Sequence, residues 1–120
     1  MAKAKQFQEI QALTEMLFSS RSAEVQAISA RQAELRGQLH RLAEQENIAQ
    51  DRFAEDIQLR LSRADVVWQT WLGCQKSALN TELARVSAEK ERQMQGLRQA
   101  FGRREVANQL VQRVKARQTF

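Results

Sequence analysis

Asp-Val-Val-Trp-Gln-Thr-Trp-Leu-Gly-Cys-Gln-Lys-Ser-Ala-Leu-Asn, residues 65–80, is the stretch on which the reading of the fold turns. It holds both tryptophans, Trp68 and Trp71, the single cysteine, Cys74, and one of the four glycines, Gly73. On each side runs a long segment rich in Gln, Glu, Arg, Ala and Leu, and the 120 residues contain no proline. These residue types are good helix formers. The breakers that an all-β or multi-loop fold needs are scarce. Two long helices are therefore expected to meet close to this stretch.

Upstream, apolar residues recur in steps of three and four: Phe7, Ile10, Leu13 or Thr14, Leu17, Val25, Ile28, Leu35, Leu39, Leu42, Ala49, Phe53, and Ile57 or Leu61. That is a narrow helical stripe of the heptad kind. Between Leu17 and Val25 it passes Arg21 among serines in two steps of four, a stutter that locally unwinds a supercoil. Gln32 and Glu46 fall on the stripe, where polar residues fix register at a cost in packing. Downstream the stripe reads Trp68, Leu72, Leu79, Leu83, Val86, Met94, Leu97, Phe101, then Val106, Leu110 and Val114. Its phase slips near Gly102. The 42% apolar fraction is inflated by alanine, so a seam between helices is expected rather than a thick core.

The expected fold is all-α, a long two-helix antiparallel coiled-coil hairpin. One arm covers about 4–58 and the other about 65–117, with the turn at about 58–64. Ser62 or Asp65 is the expected N-cap of the second arm. Arms of this length would each measure roughly 80 Å at the helical rise.

Net charge is +5, and it is uneven. Residues 61–120 hold 11 basic and 5 acidic side chains, against 8 and 9 in residues 1–60. Antiparallel arms would bring Lys3 and Lys5 beside Arg113, Lys115 and Arg117. That makes one basic end, suited to an acidic surface. At the other end, Trp68 and Trp71 share a helical face with Leu72 beside them. They either close the hairpin or form an exposed interaction hot spot.

Catalytic chemistry has little to work with. His40 is the only histidine and has no cysteine or histidine at ligand spacing. No Gly-rich phosphate loop or Ser-His-Asp set is present. No enzyme activity, cofactor, metal or small-molecule ligand is expected. A lone cysteine gives no disulfide framework. The first residues, Met-Ala-Lys-Ala-Lys-Gln-Phe-Gln-Glu, hold no apolar run of the signal-peptide kind. A cytoplasmic chain is expected, touching membranes only through a partner. Nucleic acid is disfavoured, because the basic C-terminal run lacks interleaved aromatics and a known reading module. A self-associating structural coiled coil and a basic nucleic-acid-associated rod stand as alternatives.

Gln6-Phe7 at the start, Ala64-Asp65-Val-Val-Trp68-Gln-Thr-Trp71, Leu79-Asn80-Thr-Glu-Leu-Ala-Arg85 and Gly102-Arg103-Arg104-Glu105 together resemble the FliJ/YscO family. That family belongs to the flagellar and related type III secretion export machinery. The resemblance implies a cytoplasmic stalk, peripheral to the inner membrane when assembled. Such a stalk binds and stimulates a hexameric export ATPase, couples it to the export gate, and can escort substrate chaperones. By this resemblance, Lys3, Lys5, Arg113, Lys115 and Arg117 would enter the ATPase ring. Trp68, Trp71 and Leu72 would face the gate.

Overall fold

The computed structural model describes residues 2–118. The chain is an all-α, two-helix antiparallel coiled-coil hairpin. Helix α1 spans Ala2–Glu55 and α3 spans Ala64–Gln118, with one short helix, α2 (Ile57–Leu61), between them. No strand occurs among the described residues. Exposed pairs at helical spacing, Arg21 with Glu24, Arg31 with Glu34, Glu82 with Arg85 and Glu89 with Arg92, support the helices locally. Each such pair adds a few tenths of a kcal/mol, on the order of 0.2–0.5.

Three residues make the reversal. Asp56 leaves helical geometry at φ −111° and ψ 104°. Its carboxylate accepts from the backbone N–H groups of Gln58 at 3.0 Å and Leu59 at 3.3 Å. This N-cap ends α1 and starts α2. Ser62, expected to cap the second arm, instead closes α2, its hydroxyl donating to the Leu59 carbonyl at 2.9 Å. Arg63 then takes a left-handed φ of 63°, a position where a helix C-terminus usually places glycine. The Arg63 carbonyl accepts the Val67 N–H at 3.2 Å, and α3 begins. Asp65 sits in the first turn of α3, where a negative charge suits the helix dipole.

The chain divides into two compact units. The turn unit is Ala30–Ala88. Its seam is filled as the periodicity predicts as far as Phe53: Leu35 and Leu72 are each 1% exposed and Val86 is buried, whereas Ile57 and Leu61, expected to end the stripe, lie in α2 and are exposed because α1 stops at Glu55. Leu39, Leu42, Phe53, Trp68, Leu79 and Leu83 are half-buried around them. Gln32 is buried in the same seam and donates its amide to the Ser87 hydroxyl at 3.0 Å. Glu46 pairs across the seam with Lys76. Both polar stripe positions thus have a partner on the facing helix, as register-setting residues need.

The chain-end unit is Met1–Ser29 with Glu89–Phe120. Here Gln11 donates to Asn108 at 2.8 Å, Glu15 meets Arg104 at 3.6 Å, and the Phe18 and Phe101 rings lie 6.0 Å apart. Each step along α1 is matched by an equal step back along α3, which is an antiparallel register. The seam differs from the expected stripe. On α1 the half-buried positions are Ala4, Phe7, Gln11, Thr14, Phe18, Ser22, Val25, Ile28 and Ser29. Ile10, Leu13 and Leu17, one residue out of phase, are exposed. On α3 the seam is Leu97, Ala100, Arg104, Ala107, Val111 and Val114 in unbroken steps of three and four. No phase slip occurs at Gly102. The expected stripe followed the bulkiest residues, whereas Ala100 and Ala107 are the buried ones. Small side chains suit a close helix pair, because interaxial distance follows residue size at the contact.

Candidate partner-binding surfaces

In the turn unit, α3 places Trp68 and Trp71 three residues apart, so both rings leave the same face. The rings stack at 5.0 Å between centroids and 29° between planes. Their surroundings differ. Trp68 is half-buried against the end of α1 and lines one depression with Gln45, Ile48, Ala49, Arg52 and Phe53. Its indole N–H is buried and has no acceptor among the described residues. Trp71 is 45% exposed. Around it the turn leaves Ile57, Leu61, Val66 and Val67 open to solvent. A shallow groove runs between Arg52, Phe53, Leu59, Ala64, Val67 and the two rings. Leu72 belongs to the seam and presents nothing outward, because its face of α3 turns toward α1.

In the chain-end unit, Lys3, Lys5, Arg113, Lys115 and Arg117 are all exposed. Extending the register that pairs Gln11 with Asn108 puts Lys3 and Lys5 opposite residues 114–116. The unit carries 11 basic and 6 acidic side chains, hence +5, while the turn unit carries 8 of each, hence zero. The chain's whole net charge therefore resides in the unit that holds both chain ends.

Sequence reasoning missed a second feature of this unit. The Arg104 guanidinium lies 3.9 Å from the centre of the Phe18 ring and 5.3 Å from that of Phe101. Glu15 and Glu105 flank it at 3.6 Å and 3.8 Å. A basic residue in a seam is held there by aromatic faces and by the burial of its own stem. The clue was its position between Ala100 and Ala107 at heptad spacing.

Among the described residues no three His, Cys, Asp or Glu side chains gather as a metal site. His40 lies exposed, 3.0 Å from Glu44 of its own helix. Cys74 is exposed. No helix among the described residues is long and apolar enough to cross a membrane. No protein-family model, curated protein or solved structure matches this sequence.

Proposed function

We propose that this chain is a non-enzymatic coiled-coil stalk of a bacterial flagellar or type III protein export apparatus. In this reading it binds and stimulates an export ATPase ring and couples the ring to the export gate. The observation that carries the reading is the division of surface chemistry between the two units. One is strongly basic and the other is neutral, with an open Trp71–Val67–Leu61 apolar surface. An adaptor between two unlike partners needs two unlike surfaces. The motifs around Trp68, Trp71, Leu79 and Arg103 name the machinery by resemblance, and escort of substrate chaperones belongs to the same reading.

The test is ATP hydrolysis by a purified export ATPase with and without this chain. Reversing Arg113, Lys115 and Arg117 to glutamate should abolish stimulation, with helicity retained. Full stimulation by that variant overturns the reading.

A self-associating structural coiled coil is the second reading. Ile57, Leu61, Val66 and Val67 stand exposed on a unit with no net charge to keep copies apart. Sedimentation that grows with concentration, and is lost in Leu61→Lys, would favour it over a stalk.

A further inference from the structure

The bulky apolar side chains that the chain-end seam leaves out are not scattered. Ile10, Leu13 and Leu17 follow one another on α1 at steps of three and four, and all are exposed. On α3, Gln99, Arg103, Val106 and Leu110 follow the same spacing beside the seam. Ile10 and Thr14 from α1 face Gln99, Gly102, Arg103, Val106, Ala107 and Leu110 from α3 across a groove of about 560 Å³. Ala107 forms its buried floor, while Val106 is 57% and Ile10 43% exposed on its walls. A Cβ built on Gly102 would meet nothing within 4 Å. Bare backbone at that point lets another main chain approach closely.

We propose that this groove receives one amphipathic α-helix of a separate protein, an apolar stripe flanked by acidic residues. The walls run parallel to two helices and offer apolar contacts at helical spacing on both sides. That is the helix-in-groove mode of recognition. Charge selects the occupant. The α3 wall continues past Leu110 to Arg113 and Arg117 on the same face, and Arg103 lies on the groove itself. Arg103 makes no ion pair with a described residue, because the neighbouring Arg104 takes Glu15 and Glu105. A second copy of this unit would bring +5 against +5, so like-charge repulsion disfavours it. An acidic helix is attracted by the same charge, and faster at low salt. The proposal does not rest on the stalk reading, since it concerns a groove that any acidic helix of this pattern would fit.

The probe is a fluorescein-labelled 18-residue synthetic helix, with leucines at steps of three and four and glutamates beside them. Its binding to the full chain is read by anisotropy. Saturable binding that weakens with salt is expected, together with at least a tenfold weaker affinity for the same peptide with lysines in place of glutamates. Arg103→Glu should weaken the acidic peptide at least tenfold. Gly102→Gln fills the groove without charge and should weaken it similarly, while the melting temperature holds or rises, since glutamine is the better helix former. Equal binding of the lysine peptide overturns the proposal. So does undiminished binding to Gly102→Gln. Sedimentation of the chain as a dimer that Val106→Glu dissolves would assign the groove to a second copy, and also overturns it.

Discussion

The turn unit and the chain-end unit use the same antiparallel pairing to opposite ends. In the turn unit the seam itself is built from large apolar residues: Leu35, Leu72 and Val86 fill it, and the polar Gln32 finds Ser87. In the chain-end unit the buried residues are Ala100, Ala107 and Val111, and the larger Ile10, Leu13, Met16 and Val106 are outside. The turn unit thus packs large side chains along its seam, and the apolar surface it leaves open, Ile57, Leu61, Val66, Val67 and Trp71, gathers at the turn. The other holds together through small residues, a Gln11–Asn108 bond and the Arg104–Phe18 contact, and leaves apolar surface open. Exposed apolar surface grouped in this way marks an interaction site rather than a core.

The sharpest way to break that comparison is to truncate one leucine in each unit. Leu72→Ala removes a side chain that is 1% exposed. It should destabilise the fold by about 2–5 kcal/mol, the usual cost of such a cavity. Leu13→Ala removes one that is 65% exposed, and should change stability by no more than about 0.5 kcal/mol. Urea unfolding followed by circular dichroism measures both. Comparable losses would mean that Leu13, not Thr14, faces the seam.

Arg104 tests what replaces leucines in the chain-end seam. Arg104→Ala loses the contact with two aromatic faces and the packing of its stem. A loss of about 1–2 kcal/mol is expected. Lysine should restore only part of it, because a compact ammonium cannot lie flat on a ring. Arg103→Ala, one residue away on the groove, should be nearly neutral by the same measurement. Equal effects at the two arginines would remove the distinction between a structural cation and a surface one.

How much of this was legible beforehand follows the same division. In the turn unit seam residues are also large, so spacing and hydrophobicity agree, and Leu35, Leu72, Leu79 and Val86 were identifiable. In the chain-end unit they disagree, and a reading weighted by bulk took Ile10 and Leu17 for seam, and Phe101 and Val106 for its continuation. Ala100, Arg104, Ala107 and Val111 keep heptad spacing, but alanine and arginine carry little hydrophobic signal. The basic cluster was legible because charge needs no register. The groove was not, because it depends on which residues the seam leaves over. At the turn, no Pro-Gly or Asn-Gly pair announced the reversal, since Asp56, Ser62 and a left-handed Arg63 make it without them.

Arg63 gives a smaller test confined to the turn unit. Its φ of 63° costs a residue with a Cβ roughly 1 kcal/mol, which glycine does not bear. Arg63→Gly should therefore raise stability by up to about 1 kcal/mol, offset in part by the freer unfolded chain. Denaturant midpoints with an unchanged slope would show it. A loss of stability would mean that the Arg63 side chain holds the turn in another way.

The smallest expected effect lies where the two units do not differ. Glu82 in the turn unit is held below the ordinary glutamate value by the Arg85 hydrogen bond first, then by the charges of Arg85 and Arg31. Glu89 in the chain-end unit is held low by the hydrogen bond from Arg92, then by its charge and by Gln93. A carboxylate lower in the folded state than in the unfolded one stabilises the fold while ionised. Its contribution is complete above the ordinary glutamate value and is lost as pH falls through the depressed one. Both carboxylates remain partly open to solvent, so salt screens the effect and it stays small. The melting temperature of the native chain should fall slightly on acidification through that window. Glu82→Gln and Glu89→Gln should each remove a similar part of the fall, because each carboxylate is held chiefly by the arginine three residues on in its own helix, and Arg31 of α1 adds only the smallest contribution at Glu82. A much larger share from Glu82 would tie that carboxylate to the turn unit's packing and make the local account of both pairs untenable.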